Sequence, residues 1–247
     1  MKFERSYSRK STEMRPVLIE PNFYDYADGS CLISFGRTKV LCAATLENSV
    51  PPFMKGSGKA WMTAEYSMLP KSSSDRIRRE RTSVGGRTQE IQRLIGRALR
   101  SVFSLEGWGE RSLMIDCDVI QADGGTRTAS ITGAFICAVM AFKKLALKYP
   151  DLKSKPFPVK DYMSAISVGI VSGQCVLDLD YSEDSTAHTD MNLIATAGAK
   201  LVEVQGTAEK EPMDQEQFYE LMKLGIAGTK ELCELQKKIV GSLNWEV

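Results

Sequence analysis

The sequence contains almost no histidine: His188 is the only one in 247 residues. Without a second imidazole, a catalytic triad, a histidine general base and a multi-histidine metal site are all disfavoured. His188 stands beside Thr189 and Asp190, a polar setting that predicts a solvated loop residue rather than a participant in chemistry. Any reaction must therefore be carried by carboxylates, arginines or a bound metal ion.

Closely spaced cysteine pairs are also missing. The six cysteines, at positions 31, 42, 117, 137, 175 and 233, have none of the short spacings of a metal site, and most of them fall in apolar runs. This pattern predicts buried, reduced thiols rather than disulfides or metal ligands.

Long apolar runs are lacking too. No segment approaches the roughly 20 apolar residues that span a bilayer, and the best run, residues 133–142, fits a buried helix. The N-terminal residues are charged and lack the apolar stretch of a signal peptide. We therefore expect no membrane association and a cytoplasmic location.

Basic and acidic side chains nearly balance, and the net charge of +1 excludes a polycation of the histone kind. The distribution is uneven, because residues 71–100 hold nine basic side chains, eight of them arginine, against three acidic ones. Arginine suits phosphate contacts and base stacking, so this segment predicts a polyanionic partner. The alternative for Arg93, Arg97 and Arg100 is that they line a solvated helix face or pair with acids of another subunit.

Two glycine pairs each precede a helix-like segment. Residues 85–88 read Gly-Gly-Arg-Thr and residues 124–127 read Gly-Gly-Thr-Arg, the second after a strand-like run. Glycines let the backbone approach a ligand closely, helix N-terminal N–H groups attract anions, and arginine adds a forked charge. The two segments therefore predict two loops that converge on one anion, with phosphate as the candidate. The alternative is an ordinary glycine turn with a solvated arginine at each place.

Acidic side chains gather further along the chain. Five of them fall within thirteen residues, between strand-like runs at 174–181 and 191–196, namely Asp178, Asp180, Glu183, Asp184 and Asp190. Carboxylates held close together repel one another unless a cation or a raised pKa relieves them. The cluster predicts a hard-metal site or a proton-transfer site, with an ordinary acidic turn as the alternative.

The order of the elements indicates one α+β domain over residues 1–247. Hairpin signals occur at 30–35 with 38–45, at 165–171 with 174–181, and at 191–196 with 200–205. Helical periodicity follows at 88–104, 129–149 and 215–239. Hairpins before a helix in both halves suggest an internal duplication, and residues 151–158 are predicted to form a surface loop rather than a linker.

Several long motifs occur in the order found in bacterial ribonuclease PH. They lie at residues 61–70, 85–97, 116–128, 177–184 and 203–209, and the resemblance covers nearly the whole chain. The sequence resembles this family, and the resemblance implies mixed sheets packed with helices in a duplicated fold of the ribosomal protein S5 domain 2-like type. It also implies a ring-shaped homohexamer, a trimer of dimers.

The activity implied by the resemblance is phosphorolysis of RNA 3′ ends. Inorganic phosphate trims transfer RNA precursors and other RNA 3′ ends and releases nucleoside diphosphates, and the reverse reaction adds nucleotides. Because phosphate is the nucleophile, no serine, cysteine or histidine needs to attack. A catalytically silent RNA-binding ring subunit is the alternative, although such subunits lose the phosphate arginines or the acids that this chain retains. A hydrolytic two-metal nuclease is a third reading, disfavoured because water needs no anion-binding turn.

The resemblance also implies roles for individual residues. The predicted phosphate-binding residues are Arg87, Gly125, Thr126 and Arg127. The predicted catalytic acids are Asp184 and Asp190, and the same two with Asp180 are the candidate ligands of Mg²⁺. The predicted RNA-binding residues are Arg76, Arg79 and Arg93. Which aspartate protonates the departing 3′ oxygen stays open.

The chain departs from the family near its start. Members usually carry Asp-Gly-Arg shortly before Arg-Pro, whereas here Tyr7, Ser8 and Arg9 precede Arg15 and Pro16. The arginine is retained, but the glycine is not.

Overall fold

The first half of the chain forms a five-stranded sheet. The computed structural model describes residues 4–246. The strands of this sheet are β1 (Val17–Pro21), β2 (Gly29–Phe35), β3 (Thr38–Glu47), β4 (Trp61–Met68) and β5 (Ser112–Gln121). Their spatial order is β1-β2-β3-β5-β4, and all pairs are antiparallel except β4 with β5. The sheet is therefore mixed, as an α+β fold predicts.

The second half forms a four-stranded antiparallel sheet. Its strands are β6 (Met163–Val171), β7 (Gln174–Leu177), β8 (Thr189–Thr196) and β9 (Leu201–Ala208), in the order β7-β6-β8-β9. Every residue of β6 is buried, because this strand lies inside the sheet and is covered by helices on its faces.

Three long helices and one helical turn cover the sheets. They are α1 (Gly86–Val102), α2 (Thr126–Lys148), α3 (Tyr181–Asp184) and α4 (Gln215–Val240). The helix α2 packs against β2, β3 and β5 of the first sheet and β6 of the second, so apolar residues surround it on nearly every side. α1 lies on β4, and α4 lies on β6, β7 and β8.

The helix α2 is also the one helix among the described residues that is long and apolar enough to cross a membrane. Its apolar window is 83% buried inside the protein, which is the pattern of a central core helix.

The prediction of buried reduced cysteines is confirmed, since all six thiols are free and buried.

The strand predicted over 174–181 is wrong beyond Leu177. Asp178 has a left-handed φ of 57°, which ends the strand. Asp180 then begins the α3 turn, because its side chain accepts the Glu183 N–H while the Glu183 side chain accepts the Asp180 N–H.

The helices predicted to begin at 88 and 129 begin earlier. One begins at Gly86, the second glycine of its pair, and the other at Thr126, directly after its pair. Strands β1 and β4 were not predicted. The single-domain, duplicated description stays a hypothesis.

Candidate active site

A cavity of about 660 Å³ lies where the two halves of the chain meet. It is lined by both glycine-pair segments and by two of the clustered acids. The predicted site residues on its wall are Arg87, Gly125, Thr126, Arg127, Asp184 and Asp190. The structure thus brings together residues that are more than a hundred positions apart in sequence, from Arg87 to Asp190.

The second glycine pair brings the two halves together at this cavity. Gly124 and Gly125 have φ values of 76° and 67°, a region that side chains rarely adopt. A Cβ atom on Gly124 would lie 2.6 Å from the carbonyl oxygen of Leu179, so only glycine fits there. This close approach places the segment that leads to Asp184 against the start of α2.

Arg127 is oriented by side chains from two other elements. Its Nη1 donates to Oε1 of Gln205 on β9 at 2.9 Å, and Nε2 of Gln205 donates to Oε1 of Glu90 on α1 at 2.8 Å. Glu90 also lies 3.8 Å from Arg127 Nη1. Because Glu90 is one turn from Arg87 on α1, this network links the two predicted phosphate arginines.

Thr126 is held by a buried phenol. The hydroxyl of Tyr66 on β4 lies 2.9 Å from Oγ1 of Thr126, and Tyr66 is 3% exposed. Burial raises the pKa of Tyr66, while the bond to Thr126 and the charges of Arg87 and Arg127 act the other way. The phenol therefore stays protonated and fixes the Thr126 hydroxyl at the cavity wall.

Asp190 is the acid with the most perturbed ionisation in the cavity. Burial, reinforced by the charge of Asp184, raises the pKa of Asp190 to about 6, against the opposing effect of Arg127. Burial also raises the pKa of Asp184, against the effects of Arg127 and Arg87. Asp184 is exposed as a residue, whereas Asp190 is only partly exposed. A carboxyl group with a pKa near neutrality can donate a proton at physiological pH.

The other clustered acids have structural partners. Although burial acts in the opposite direction, hydrogen bonds from Ser6, the Glu183 N–H and Ser182 lower the pKa of Asp180, which caps α3. Asp178 forms an ion pair with Arg15, with 2.7 Å between Oδ1 and Nη2. Arginine side chains therefore supply the cations beside these acids, and the assignment of Asp180 as a magnesium ligand stays a prediction.

Glu183 completes this buried group. Its Oε1 accepts from Nε of Arg5 at 2.7 Å, and its Oε2 accepts from Nη2 of Arg9 at 3.2 Å. Arg9, the arginine that the divergent N-terminal motif retains, thus serves as a buried counter-charge for Glu183. Within residues 4–246, no three histidine, cysteine, aspartate or glutamate side chains are arranged to hold a metal ion.

The chain matches a known family along most of its length. Residues 13–144 match the model of the 3′ exoribonuclease family, domain 1, and residues 161–228 match domain 2 of that family. Ribonuclease PH of Methylobacterium radiotolerans is 52% identical over 96% of this chain and 99% of that protein. Ribonuclease PH of Listeria welshimeri is 52% identical over 94% of each chain. The chain belongs to the ribonuclease PH family.

Solved structures agree with this fold. The crystal structure of rice Rrp46 superposes with a TM-score of 0.76 at 18% identity, covering 96% of this chain and all of that one. The Archaeoglobus fulgidus exosome with RNA bound to the active site gives a TM-score of 0.75 at 23% identity, over 94% of this chain and 92% of that one. The predicted resemblance to ribonuclease PH and the α+β fold class are confirmed.

Membership of the ribonuclease PH family also decides between the functional readings. The family consists of 3′ exoribonucleases, and phosphate is the co-substrate of ribonuclease PH. The protein is therefore a phosphorolytic 3′-5′ exoribonuclease, as predicted. The silent-subunit alternative is disfavoured, because the relatives that match at 52% identity are named as the enzyme.

The arginine-rich segment lines the ribonuclease PH cavity at residues 71–75 and at Arg87, but its other arginines do not line it. Arg76, Arg79 and Arg93 are exposed and do not line the cavity, whereas Lys71 does. Arg97 pairs with Glu203 of the same chain, with Nε to Oε2 at 2.9 Å. Arg97 is exposed on α1, as the solvated-face alternative expects, and its acidic partner belongs to the same chain.

Sequence reasoning missed several residues of the site. Arg37, Tyr181 and Asn192 line the cavity, and Gln205 holds Arg127 from outside it. Gln205 falls within the family motif at 203–209, which was the signal available for it. The turn that carries Arg37, between β2 and β3, offered no comparable signal.

Proposed function

We propose that the cavity is where this phosphorolytic 3′-5′ exoribonuclease holds inorganic phosphate against the last phosphodiester of an RNA. The observation that carries the proposal is the convergence of Arg87 and Arg127, from two separate glycine-pair segments, with the acid Asp190 in one cavity. Two forked cations suit a phosphate anion, and a carboxyl group with a raised pKa suits proton donation.

The chemistry exchanges one phosphoryl linkage for another. A phosphate oxygen attacks the terminal phosphorus, the bond from that phosphorus to the 3′ oxygen of the preceding nucleotide breaks, and a nucleoside diphosphate leaves. Arg87 and Arg127 orient the nucleophile and stabilise charge on the transferred group. Asp190 donates a proton to the departing 3′ oxygen, because its pKa is the more strongly raised of the two cavity acids.

Asp184 and Asp190 fit a magnesium ion as a partial ligand set. Mg²⁺ is commonly bound through one or two carboxylates together with substrate phosphates, so the two acids suffice without a third protein ligand. When bound, Mg²⁺ would screen charge at the transferred phosphorus. Asp180 is already committed to capping α3 and is the weakest of the three predicted ligands.

We further propose that transfer RNA precursors are the substrates and that the active particle is a homohexamer, a trimer of dimers, in the cytoplasm. Support comes from the exposed Arg76, Arg79 and Arg93, because several copies of such a segment around one ring would hold a folded RNA by many salt-sensitive contacts. The archaeal exosome core, which superposes with a TM-score of 0.71, is a further assembly built on this fold.

The proposal is tested with purified protein and a 3′-extended transfer RNA, with and without phosphate. Nucleoside diphosphates should form only with phosphate, and excess diphosphate should drive 3′ extension. Release of monophosphates in phosphate-free buffer would contradict phosphorolysis.

Replacing either phosphate arginine tests the assignment of the cavity. Arg87→Ala or Arg127→Ala should lower turnover by about ten-fold or more while RNA binding persists, since each removes a charge-assisted contact to the transferred group. Parallel loss of RNA binding and turnover would instead assign the arginine to the RNA surface.

A further inference from the structure

We propose that Thr38 and Arg15 are positioning residues for phosphate. They hold the carbonyl groups of Asp123 and Gly124 away from the cavity, so that the amide groups that follow face it. This inference rests on the proposed function, because it concerns the same phosphate site. Neither residue was predicted to take part in the site.

Thr38 binds residues 123–125, here called the phosphate loop, through its hydroxyl group. It is the first residue of β3 and is completely buried. Its Oγ1 donates to the carbonyl oxygen of Gly124 at 2.6 Å and accepts from the N–H of Asp123 at 2.9 Å. A hydroxyl is needed for this arrangement, because the same atom must donate and accept.

Arg15 binds the Gly124 carbonyl as well, and the carbonyl of Asp123 in addition. Nη1 donates to the Asp123 carbonyl and Nη2 to the Gly124 carbonyl, the latter at 3.4 Å. Two further donors go to Asp178, with Nε at 2.9 Å from Oδ2 and Nη2 at 2.7 Å from Oδ1. Arg15 is 1% exposed, so its guanidinium group is paired inside the protein and does not contact a ligand.

These bonds determine which way the loop amides point. In a trans peptide the carbonyl and the next N–H lie on opposite sides, and no peptide bond among the described residues is cis. A Gly124 carbonyl held by Thr38 and Arg15 therefore turns the N–H of Gly125 away from them, and the Asp123 carbonyl does the same for the N–H of Gly124. Within residues 4–246, neither N–H donates to a protein atom.

The result is a pair of free donors on the cavity wall, which both glycines line. Successive N–H groups in such a turn form a concave anion site, whereas a carbonyl turned into the cavity would repel an anion. Thr38 and Arg15 thus maintain the loop in the orientation that accepts phosphate before the ligand arrives. We expect this to lower the cost of binding phosphate without affecting the grip on RNA.

Thr38→Val is the direct test, because valine keeps the shape and strand preference of threonine and removes only the hydroxyl. The KM for phosphate should rise about ten-fold or more, with the KM for RNA and the affinity for RNA unchanged. Thr38→Ser restores the hydroxyl and should recover most of the loss. Thr45→Val, at an exposed position of the same strand, is the matched control and should behave as wild type.

Arg15→Lys is the second variant, since lysine keeps the charge beside Asp178 but cannot reach two carbonyls and a carboxylate together. It should raise the KM for phosphate in the same way. Inorganic phosphate titrated against thermal unfolding gives its dissociation constant without turnover, and that constant should rise in both variants.

The inference is overturned if folded Thr38→Val or Arg15→Lys keeps the wild-type KM for phosphate while wild-type turnover depends on phosphate. It is also overturned if both substrates lose affinity equally or kcat alone falls, because a general structural defect would do that. If Thr38→Val does not fold, Arg15→Lys decides by the same two measurements. If wild-type turnover does not depend on the phosphate concentration, the proposed function is contradicted as well.

Discussion

Asp190→Asn should abolish catalysis and stabilise the fold at the same time. The substitution keeps the size of the side chain and removes a charge that the folded protein disfavours. Burial and the neighbouring Asp184 raise the pKa of Asp190 from the ordinary 3.8 to about 6, so above that pH the folded state carries an ionised carboxylate at a cost. Asparagine carries no such cost, but it cannot donate the proton.

The magnitude follows from the size of the shift. A difference of about two pKa units, at about 1.4 kcal/mol per unit, gives an upper bound of about 3 kcal/mol in the free energy of unfolding. Residual hydration and the coupling to Asp184 reduce the expected gain to about 1–2 kcal/mol. The sign follows from linkage. The penalty is absent where both states are protonated, grows as pH rises from about 4, and is complete above about 6.

The assay is urea unfolding of wild type and variant at about pH 4, 6 and 8, in buffer without phosphate or divalent cations. The variant should be the more stable at the two higher pH values, and the difference should be smallest at the lowest. Asp25→Asn, in an exposed loop, is the control for removing one negative charge. An equal gain at all three pH values, or no gain at the highest, would refute the reasoning about Asp190.

Two further predictions concern residues outside the cavity. Gln205→Leu removes the acceptor that orients Arg127, so the KM for phosphate should rise several-fold with RNA binding unchanged, and an unchanged KM would show that Arg127 needs no such support. Ser8→Gly should raise the free energy of unfolding by up to about 1 kcal/mol, because Ser8 has a left-handed φ of 52° that glycine adopts without strain. A drop in the urea midpoint would contradict the second prediction.

The local parts of this fold could be predicted from the sequence. Apolar residues at helical spacing placed α1, α2 and α4, and glycine turns placed most of the hairpins. The convergence of the two glycine-pair segments was predictable because each carries its own signals, a flexible turn, an arginine and a following helix. Those signals lie within a few residues of one another.

The parts that depend on distant partners could not be predicted. Residues 177–181 alternate apolar and acidic side chains and so resemble a strand, yet Asp178 and Asp180 are buried. Buried carboxylates are tolerated there only because Arg15 and Arg9, some 160 positions away, neutralise them. The same applies to Thr38, whose contacts with the phosphate loop have no local signature.

The most direct measurement is the fate of inorganic phosphate during RNA shortening. Radioactively labelled phosphate is incubated with the protein and an unlabelled 3′-extended transfer RNA, and the released nucleotides are separated and degraded to locate the label. The account predicts one labelled phosphate per nucleotide removed, located at the β position of a nucleoside diphosphate. Shortened RNA with unlabelled nucleoside monophosphates would show that water is the nucleophile and would contradict the account.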